Sequence, residues 1–243
     1  MAADKSYIGV GSLHVRPFGS VGKRRFMGNC SVATVKQDVE IKKQKDYTRV
    51  GGGTVNQVER LTAVSLEITL LEFDAANLAL ATAGTTTAMA AATITDEVFK
   101  SYKDSLVRLS APPNLITTVK NNAGTTTFVA GTDYVLSPGG LYITPGSTMV
   151  DAADHKVTYT NLAYDRIEAA TATANELEIF IEGLNEAESS RPVLVDCWRV
   201  RLPPASELAL LGEDFGELKF TAELLKDGSK GAGLSAYMRV QKV

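Results

Sequence analysis

Hydrophobic and polar residues alternate along several stretches of the chain. Every second residue from 64 to 70 is a large aliphatic one, and the residues between them are polar. This period of two predicts a β-strand with one buried face. Similar alternation predicts further strands at 31–42, 176–182, 193–202 and 217–224. The strand at 31–42 is expected to pair with the one at 59–71.

A short helix is predicted directly after the strand at 59–71. Asp74 can act as its N-cap, residues 75–83 are mostly good helix formers, and Gly84 stands where a left-handed C-cap residue is favoured. A helix of about ten residues is too short to be stable alone in water. It should therefore pack on a sheet. A second helical turn is predicted at 204–211, and a last strand at 234–240 is expected to form a hairpin with the strand at 217–224.

The connection between the two paired strands is unusually long. It runs over about sixteen residues, 43–58, and contains three consecutive glycines and few apolar residues. Ordinary hairpin loops have two to five residues. Two interpretations remain open: a mobile surface loop, or an arm that becomes ordered only against a partner.

The segment 107–164 differs from the rest, because short strands alternate there with strong turn signals. It is interpreted as a β-rich insertion or subdomain within a single β domain that spans residues 1–243. The predicted fold class is mainly β: a sandwich or barrel of two packed antiparallel sheets with a short flanking α-helix.

Composition narrows the function classes. Hydrophobic residues make up 44% and charged residues 22%, as in ordinary globular proteins. A net charge of −3 and a pI near 5.5 argue against a protein whose main task is to bind nucleic acid. The N-terminus lacks the pattern of a secretory signal, so maturation in the cytoplasm is predicted, with Cys30 and Cys197 as thiols. No segment is long and apolar enough to predict a membrane span.

The sequence contains only incomplete versions of catalytic and metal-binding patterns. His14 and His155 lack partners at metal-ligand spacing and are expected at the surface. The segment 19–23 lacks the spacing of a phosphate-binding loop, and neither cysteine has a nearby histidine in sequence. No cofactor and no enzymatic activity are predicted. The basic runs 23–25 and 42–45 are interpreted as solvated charge or protein contact rather than phosphate contact.

Five segments, in order, resemble the major tail tube proteins of bacteriophages with long tails. They are MGNCSVATV at 27–35, the hairpin with a Tyr-x-x-x-Gly core at 47–51, DAANLALATAG at 74–84, the β-rich segment at 128–147, and the segment at 195–225. Together they cover about two thirds of the chain.

The resemblance implies a structural subunit with a sandwich-like barrel, six copies of which form a ring. Stacked rings would form a hollow tube through which viral DNA passes without specific binding. The implied partners are further copies and the tape measure, tip or baseplate, and terminator proteins, and the location is the phage tail after assembly in the host cytoplasm. No membrane partner is implied.

Residue roles follow from the same resemblance. The long hairpin loop would order against a neighbouring copy through Lys45, Asp46, Tyr47, Arg49, Gly51, Gly52 and Gly53. Acidic side chains in the lumen would repel DNA phosphates at short range. Candidate lumen residues are Glu67, Glu176, Glu178, Glu217 and Glu223, although alternation alone also explains the acids of 176–182 as a solvated strand face.

A different class of function is kept as the alternative: a virion-surface or secreted β-sandwich that binds carbohydrate or a receptor. Trp198 falls within a predicted core strand, which disfavours an aromatic platform for sugar. A cytoplasmic enzyme fits the sequence least.

Overall fold

A computed structural model describes residues 5–173 and 175–243. The structure is mainly β, as predicted, with 54% strand, 4% helix and several antiparallel sheets, and the described strands form no closed barrel. Two compact units are present. Unit 1 contains the chain up to Thr86 and from Ile167 onward, and unit 2 comprises Thr87–Arg166. The segment 107–164 lies within unit 2.

The strands in chain order are β1 (Gly9–Pro17), β2 (Arg25–Phe26), β3 (Cys30–Lys45), β4 (Thr54–Leu70), β5 (Thr85–Met89), β6 (Thr93–Lys100), β7 (Ser105–Arg108), β8 (Pro113–Asn121), β9 (Tyr134–Ser137), β10 (Gly140–Ile143), β11 (Asp154–Asn161), β12 (Tyr164–Glu168), β13 (Asn175–Asn185), β14 (Arg191–Leu202), β15 (Leu218–Leu224) and β16 (Met238–Lys242). Helix α1 spans Ala75–Ala81, and Glu186–Glu188 form a 3-10 turn.

Unit 1 is built on an eight-stranded sheet. Seven strands follow the order β2-β1-β13-β14-β15-β4-β3, and β16 also pairs with β14. The predicted pairing of 31–42 with 59–71 is confirmed by the β3–β4 register. The predicted hairpin between the last two strands is wrong. Strand β15 pairs with β14 only at Val200 and Arg201. Strand β16 pairs with the rest of the same edge of β14, from Val193 to Cys197, and not with β15.

One face of this sheet forms the core of unit 1. In β15 the alternation predicted from sequence buries Leu218, Phe220, Ala222 and Leu224. Strands β4 and β13 contribute Ile68 and Ile179 to the same core. Full burial of each large side chain stabilises the fold by about 1.5–3 kcal/mol. The polar residues between them are left on the opposite face.

The sheet curls but stays open. Five strand-to-strand steps separate β1 from β3, which is roughly 24 Å in a flat sheet at the usual strand spacing. Nevertheless, Val10 of β1 and Val35 of β3 line the same groove of about 540 Å³, together with Ile181 and Met238. The two ends of the sheet therefore approach each other across an apolar gap.

Helix α1 begins as predicted. The backbone N–H of Asn77 donates to Oδ1 of Asp74, the N-cap residue, at 2.6 Å. The amide of Asn77 is fully buried and donates to the carbonyl oxygens of Met27 at 2.9 Å and Glu72 at 3.2 Å. The helix is thus tied to the chain segment that enters β3.

The end of the helix differs from the prediction. Ala83, with a φ of 47°, takes the left-handed conformation expected for Gly84. Gly84 is needed for another reason, because a Cβ there would lie 2.5 Å from the carbonyl oxygen of Glu168.

The second predicted helical turn, at 204–211, is wrong. The segment is extended and runs back along β15: Ser206 N–H donates to the carbonyl oxygen of Lys219 at 3.0 Å, and Leu208 forms a bridge with Leu218. Strand pairing and the contact of Leu208 with the core override the helical propensity of the Leu-Ala-Leu run.

Unit 2 contains two three-stranded sheets, β7-β10-β9 and β6-β11-β8. Their inner residues, including Leu141, Ile143, Val157 and Tyr159, form a second core. Strands β5 and β12 form a two-stranded ribbon where the chain passes between the two units.

A buried carboxylate organises one turn region of unit 2. Asp133 Oδ2 accepts from Val129 N–H at 2.8 Å, and its Oδ1 accepts from the N–H of Thr148 at 2.7 Å and the hydroxyl of Thr148 at 2.8 Å. Burial alone would raise the pKa of this carboxyl, but these hydrogen bonds hold the pKa below its usual value. The folded protein therefore favours the charged form of the Asp133 carboxyl group.

We expect Asp133→Asn to lower the free energy of unfolding of unit 2 by about 2 kcal/mol at pH 7, because the new amide group would face a backbone N–H. The lowered folded-state pKa means that the carboxylate stabilises above the unfolded pKa, near 4, and that this contribution is lost as pH falls through the folded pKa. Calorimetry at pH 7 and pH 3 should show a smaller acid-induced loss in Asp133→Asn than in the wild type. The exposed Asp165→Asn is the control and should leave both values nearly unchanged.

Candidate assembly surface

Strands β3 and β4 extend beyond the rest of the sheet as a two-stranded arm, defined here as residues 36–62. Strand β15 pairs with β4 only from Leu70 back to Ser65, so the remainder of β4 pairs with β3 alone. Every residue of the arm is exposed except Asp46, which is half-buried. The part of β4 beyond β15 is about 30 Å long at the usual rise per residue.

The loop predicted at 43–58 is shorter than expected. Strand β3 continues to Lys45 and β4 begins at Thr54, which leaves a turn at 46–53. The sequence of these strand ends shows no alternation of apolar and polar residues. Both faces are exposed there, so neither face requires a row of apolar side chains.

The turn is stabilised by its own hydrogen bonds. Asp46 N–H donates to the carbonyl oxygen of Gly53 at 2.8 Å, and Asp46 Oδ1 accepts from the N–H of Thr48 at 2.8 Å and from its hydroxyl at 2.5 Å. The side-chain hydrogen bond, followed by the backbone one, holds the pKa of Asp46 below its usual value. Gly51 has a φ of 80°, which favours glycine there.

The predicted contact residues occupy the outer end of the arm. Lys45 ends β3, while Tyr47, Arg49, Gly51, Gly52 and Gly53 lie in the exposed part of the turn. Tyr47 is 87% exposed. Further along the arm, large apolar side chains are exposed at Val39, Ile41, Val50, Val55, Val58 and Leu61. Groups of exposed apolar side chains are typical of interaction surfaces, so the arm is a candidate for one.

Two edges of the sheet of unit 1 are unpaired over long stretches. Strand β3, with sixteen residues, is the terminal strand on one side. On the other side β2 pairs with β1 at His14 and Val15, and Met27 N–H donates to the carbonyl oxygen of Leu13, so residues 9–12 of β1 have no strand opposite them on this edge among the described residues. Unpaired N–H and C=O groups along an exposed edge are a template for pairing with another chain.

The five candidate lumen acids lie in phase with the polar face of this sheet. In β4 and β15 the core residues have even numbers, so the odd-numbered residues lie on the polar face. In β13 the core residues Leu177 and Ile179 have odd numbers, so the even-numbered residues lie on the polar face. This phase applies to Glu67, Glu176, Glu178 and Glu223, and Glu217 immediately precedes β15. The structure therefore brings acids from distant parts of the sequence onto one surface.

Four of these acids are paired with a cation. Glu67 pairs with Lys36, Glu176 with Arg199, Glu178 with Arg16 and Arg24, and Glu217 with Lys219. Glu223 is exposed, and no ion pair involves it among the described residues. Most of the candidate lumen acids thus have a neighbouring cation.

The pairs of β13 have the most specific geometry. Arg199 donates from both Nε and Nη2 to Glu176 at 2.9 Å, and these bonds hold the pKa of Glu176 below its usual value. The Glu178 side chain is only 13% exposed, with Arg24 Nη2 at 3.0 Å and Arg16 on its other oxygen. Glu178 is therefore part of the structure as well as of the surface.

Sequence reasoning missed a bulge that places Trp198 on this polar face. The register shifts between Ile179, opposite Cys197, and Leu177, opposite Val200. Trp198 is half-buried, with Lys230 Nζ at 3.9 Å from its ring centroid. Trp198 lies in a core strand, β14, as predicted, but the position of its side chain on the polar face depends on the bulge, whose extra residue simple alternation does not reveal.

The segment 207–217, named here the acidic loop, is a second exposed apolar surface. Leu211 and Phe215 are each 97% exposed, and Leu210 is also exposed. Four acids, Glu207, Glu213, Asp214 and Glu217, surround them, and the segment has no Lys or Arg. This loop was not predicted from the sequence, because a helical turn was predicted at 204–211.

His155 is buried, so its expected surface position is wrong. Alternation along β11 places it in the inner row with Val157, and its ring lies edge-on to Phe128 at 5.0 Å between centroids. Neither ring nitrogen has a hydrogen-bond partner among the described residues. Its surroundings are those of a core residue.

The cysteines are the other chemistry-bearing residues that the sequence singles out. Cys30 and Cys197 are free thiols, as predicted, and burial raises the pKa of Cys197 to about 12. Within residues 5–173 and 175–243, no group of three or more His, Cys, Asp or Glu could hold a metal ion. No helix in the described part of the chain is long and apolar enough to cross a membrane.

Comparison with known proteins gives one family. A family model described as "Protein of unknown function UCP028589" matches residues 6–241. A search of curated proteins found no match.

Proposed function

The chain belongs to this family of unknown function, and we propose that it is a structural subunit of a bacteriophage tail tube. In this proposal six copies form a ring, and stacked rings form the hollow conduit through which DNA leaves the virion. The protein is not an enzyme and needs no cofactor. The tape measure, tip or baseplate, and terminator proteins of the tail are its further partners.

The arm is the observation that carries this proposal. A two-stranded ribbon with water on both faces is at best marginally stable by itself. A solitary globular protein gains nothing from an arm of about 30 Å that presents apolar side chains to water. An assembly subunit does gain, because those side chains become buried when copies associate.

The two open edges support a ring. The outer edge of β3 and the uncovered part of β1 lie at opposite ends of the sheet order, and the groove between them in one copy is lined on β3 by residues 30–35, so the edge of β3 beyond Val35 has no strand opposite it among the described residues. Pairing of one edge with the other on the next copy is a heterologous contact, which generates a ring when the rotation closes. Each copy would then extend the sheet of its neighbour.

The polar face of the sheet suits the wall of a conduit. Three arginines of this face, Arg199, Arg16 and Arg24, are engaged by Glu176 and Glu178. Paired cations are less available to DNA phosphates, so a wall of this kind binds its cargo weakly. The lumen hypothesis is revised accordingly: the wall would bind DNA weakly because its cations are paired with acids, and not because its acids strongly repel the DNA phosphates.

Electron microscopy of the purified wild-type protein tests the proposal. We expect rings of uniform diameter, or hollow tubes, as protein concentration rises. Light scattering that shows only monomers over the whole accessible concentration range would contradict the assembly function.

A binding module is the second candidate, and one observation in unit 2 favours it. The sheet β7-β10-β9 presents Leu106, Tyr142 and Val135 in one cross-strand row, and Leu106 and Val135 are exposed. Binding of immobilised glycans by a monomeric protein, with loss of binding in Tyr142→Ala, would favour this candidate over the tube.

A further inference from the structure

We infer that the acidic loop of one copy docks on the outer end of the arm of another copy, which gives a head-to-tail contact. This inference rests on the proposed self-assembly and adds to it the two surfaces that meet. It is argued from their positions in the sheet, their charges and their exposed apolar residues.

The two surfaces lie at opposite ends of β4. The acidic loop leads into Leu218, which pairs with Leu70 at the end of β4. The turn of the arm precedes Thr54 at the start of the same strand, which has seventeen residues. The length of the strand separates the ends by roughly 50 Å. One copy cannot bring its own loop and arm together, so a contact between them requires a second copy.

The charges of the two surfaces are complementary. The acidic loop has four acids and no base, whereas residues 42–53 of the arm have four bases and one acid. That acid, Asp46, already accepts two hydrogen bonds from Thr48. Complementary charge favours encounter of the two surfaces and fixes their orientation.

The apolar groups are complementary as well. Leu210, Leu211 and Phe215 project from the acidic loop, and Tyr47 and Val50 project from the turn of the arm. Aromatic and aliphatic groups inside a charged rim are the usual composition of an interface centre. Burial of these groups supplies the affinity that exposed charges alone lack.

Other occupants of the acidic loop fit less well. Anionic lipid surfaces and nucleic acids would be repelled by its four acids. Contact between two acidic loops would bring eight acids together. The arm of another copy is a surface that is both basic and apolar.

A mixing experiment tests the contact with two full-length variants. The loop variant carries Leu211→Ser and Phe215→Ser, and the arm variant has residues 44–56 replaced by Asn-Gly. Asn-Gly is a favoured two-residue turn, and Lys43 and Gln57 already face each other in the register. We expect each variant alone to stop at single rings or monomers. In the mixture, the acidic loop of the arm variant can dock on the arm of the loop variant. We therefore expect pairs that contain one assembly of each variant, visible by electron microscopy and light scattering.

A charge exchange tests the pairing more specifically. Glu213→Lys with Asp214→Lys should weaken stacking at least tenfold, and addition of Lys43→Glu with Lys45→Glu in the same chain should restore it. Asp165→Lys with Glu186→Lys reverses two exposed acids elsewhere and is the matched control. Circular dichroism verifies the fold of every variant.

The outcomes separate the inference from the proposed function. Wild-type protein that never self-associates would contradict both. Wild-type tubes together with unchanged tubes from the loop variant, or failure of the second charge reversal to restore stacking, would overturn only the contact between loop and arm.

Discussion

Replacement of residues 44–56 by Asn-Gly should abolish tube formation while the free energy of unfolding changes by less than about 0.5 kcal/mol. Every replaced residue except the half-buried Asp46 is exposed, and the buried row of β4 begins at Val64. Surface changes away from buried features are usually within this limit. Electron microscopy measures assembly, and chemical denaturation measures stability.

Point substitutions test whether assembly requires the exposed side chains of the arm or only its backbone. Tyr47→Ser with Val50→Ser should also prevent tube formation, whereas Val129→Ser with Val150→Ser removes two exposed apolar residues of unit 2 and should not. Normal tubes from the shortened arm would exclude the arm from assembly.

Glu178→Lys should destabilise unit 1 by about 3 kcal/mol or more, although Glu178 was predicted as a lumen residue. The new ammonium group would stand beside Arg16 and Arg24 in a largely buried position, where three cations would lack a counter-charge. The effect should appear as a lower midpoint in urea at neutral pH.

Glu223→Lys is the matched control for that reversal. Its side chain is exposed and faces Arg201 across the strand pair, so the cost should stay below about 1 kcal/mol. Equal destabilisation by the two reversals would show that the ion pairs of Glu178 contribute no special stability. A test of the lumen by charge reversal should therefore use Glu223 and avoid Glu178.

Much of unit 1 was predictable because its strands have one buried face. The aliphatic row of β4, the alternation of β15 and the N-cap at Asp74 each leave a local signal, and each is confirmed. Local patterns of this kind depend only on the period of the backbone and on which face meets the core.

The remaining features depend on contacts that are distant in sequence. The bulge at Trp198 is fixed by the register with β13, and the extended form of 204–211 is fixed by pairing with β15. The ends of the arm lack a buried face, so their sequence carries no alternation. The ion pairs of the candidate lumen acids likewise join residues such as Arg16 and Glu178, which only the sheet order brings together.

The division into two units also sets an order of events during synthesis. All strand pairs of the two sheets of unit 2 join residues between 93 and 161, so this unit can complete its core as soon as that stretch has left the ribosome. The sheet of unit 1 must wait, because β1 pairs with β13 and β4 pairs with β15, near the end of the chain. Chains fold in the order in which their contacts become available. We therefore expect the nascent protein to complete its inserted unit first, and the long hairpin of β3 and β4 to gain its place in a finished sheet only after β15 has been synthesised.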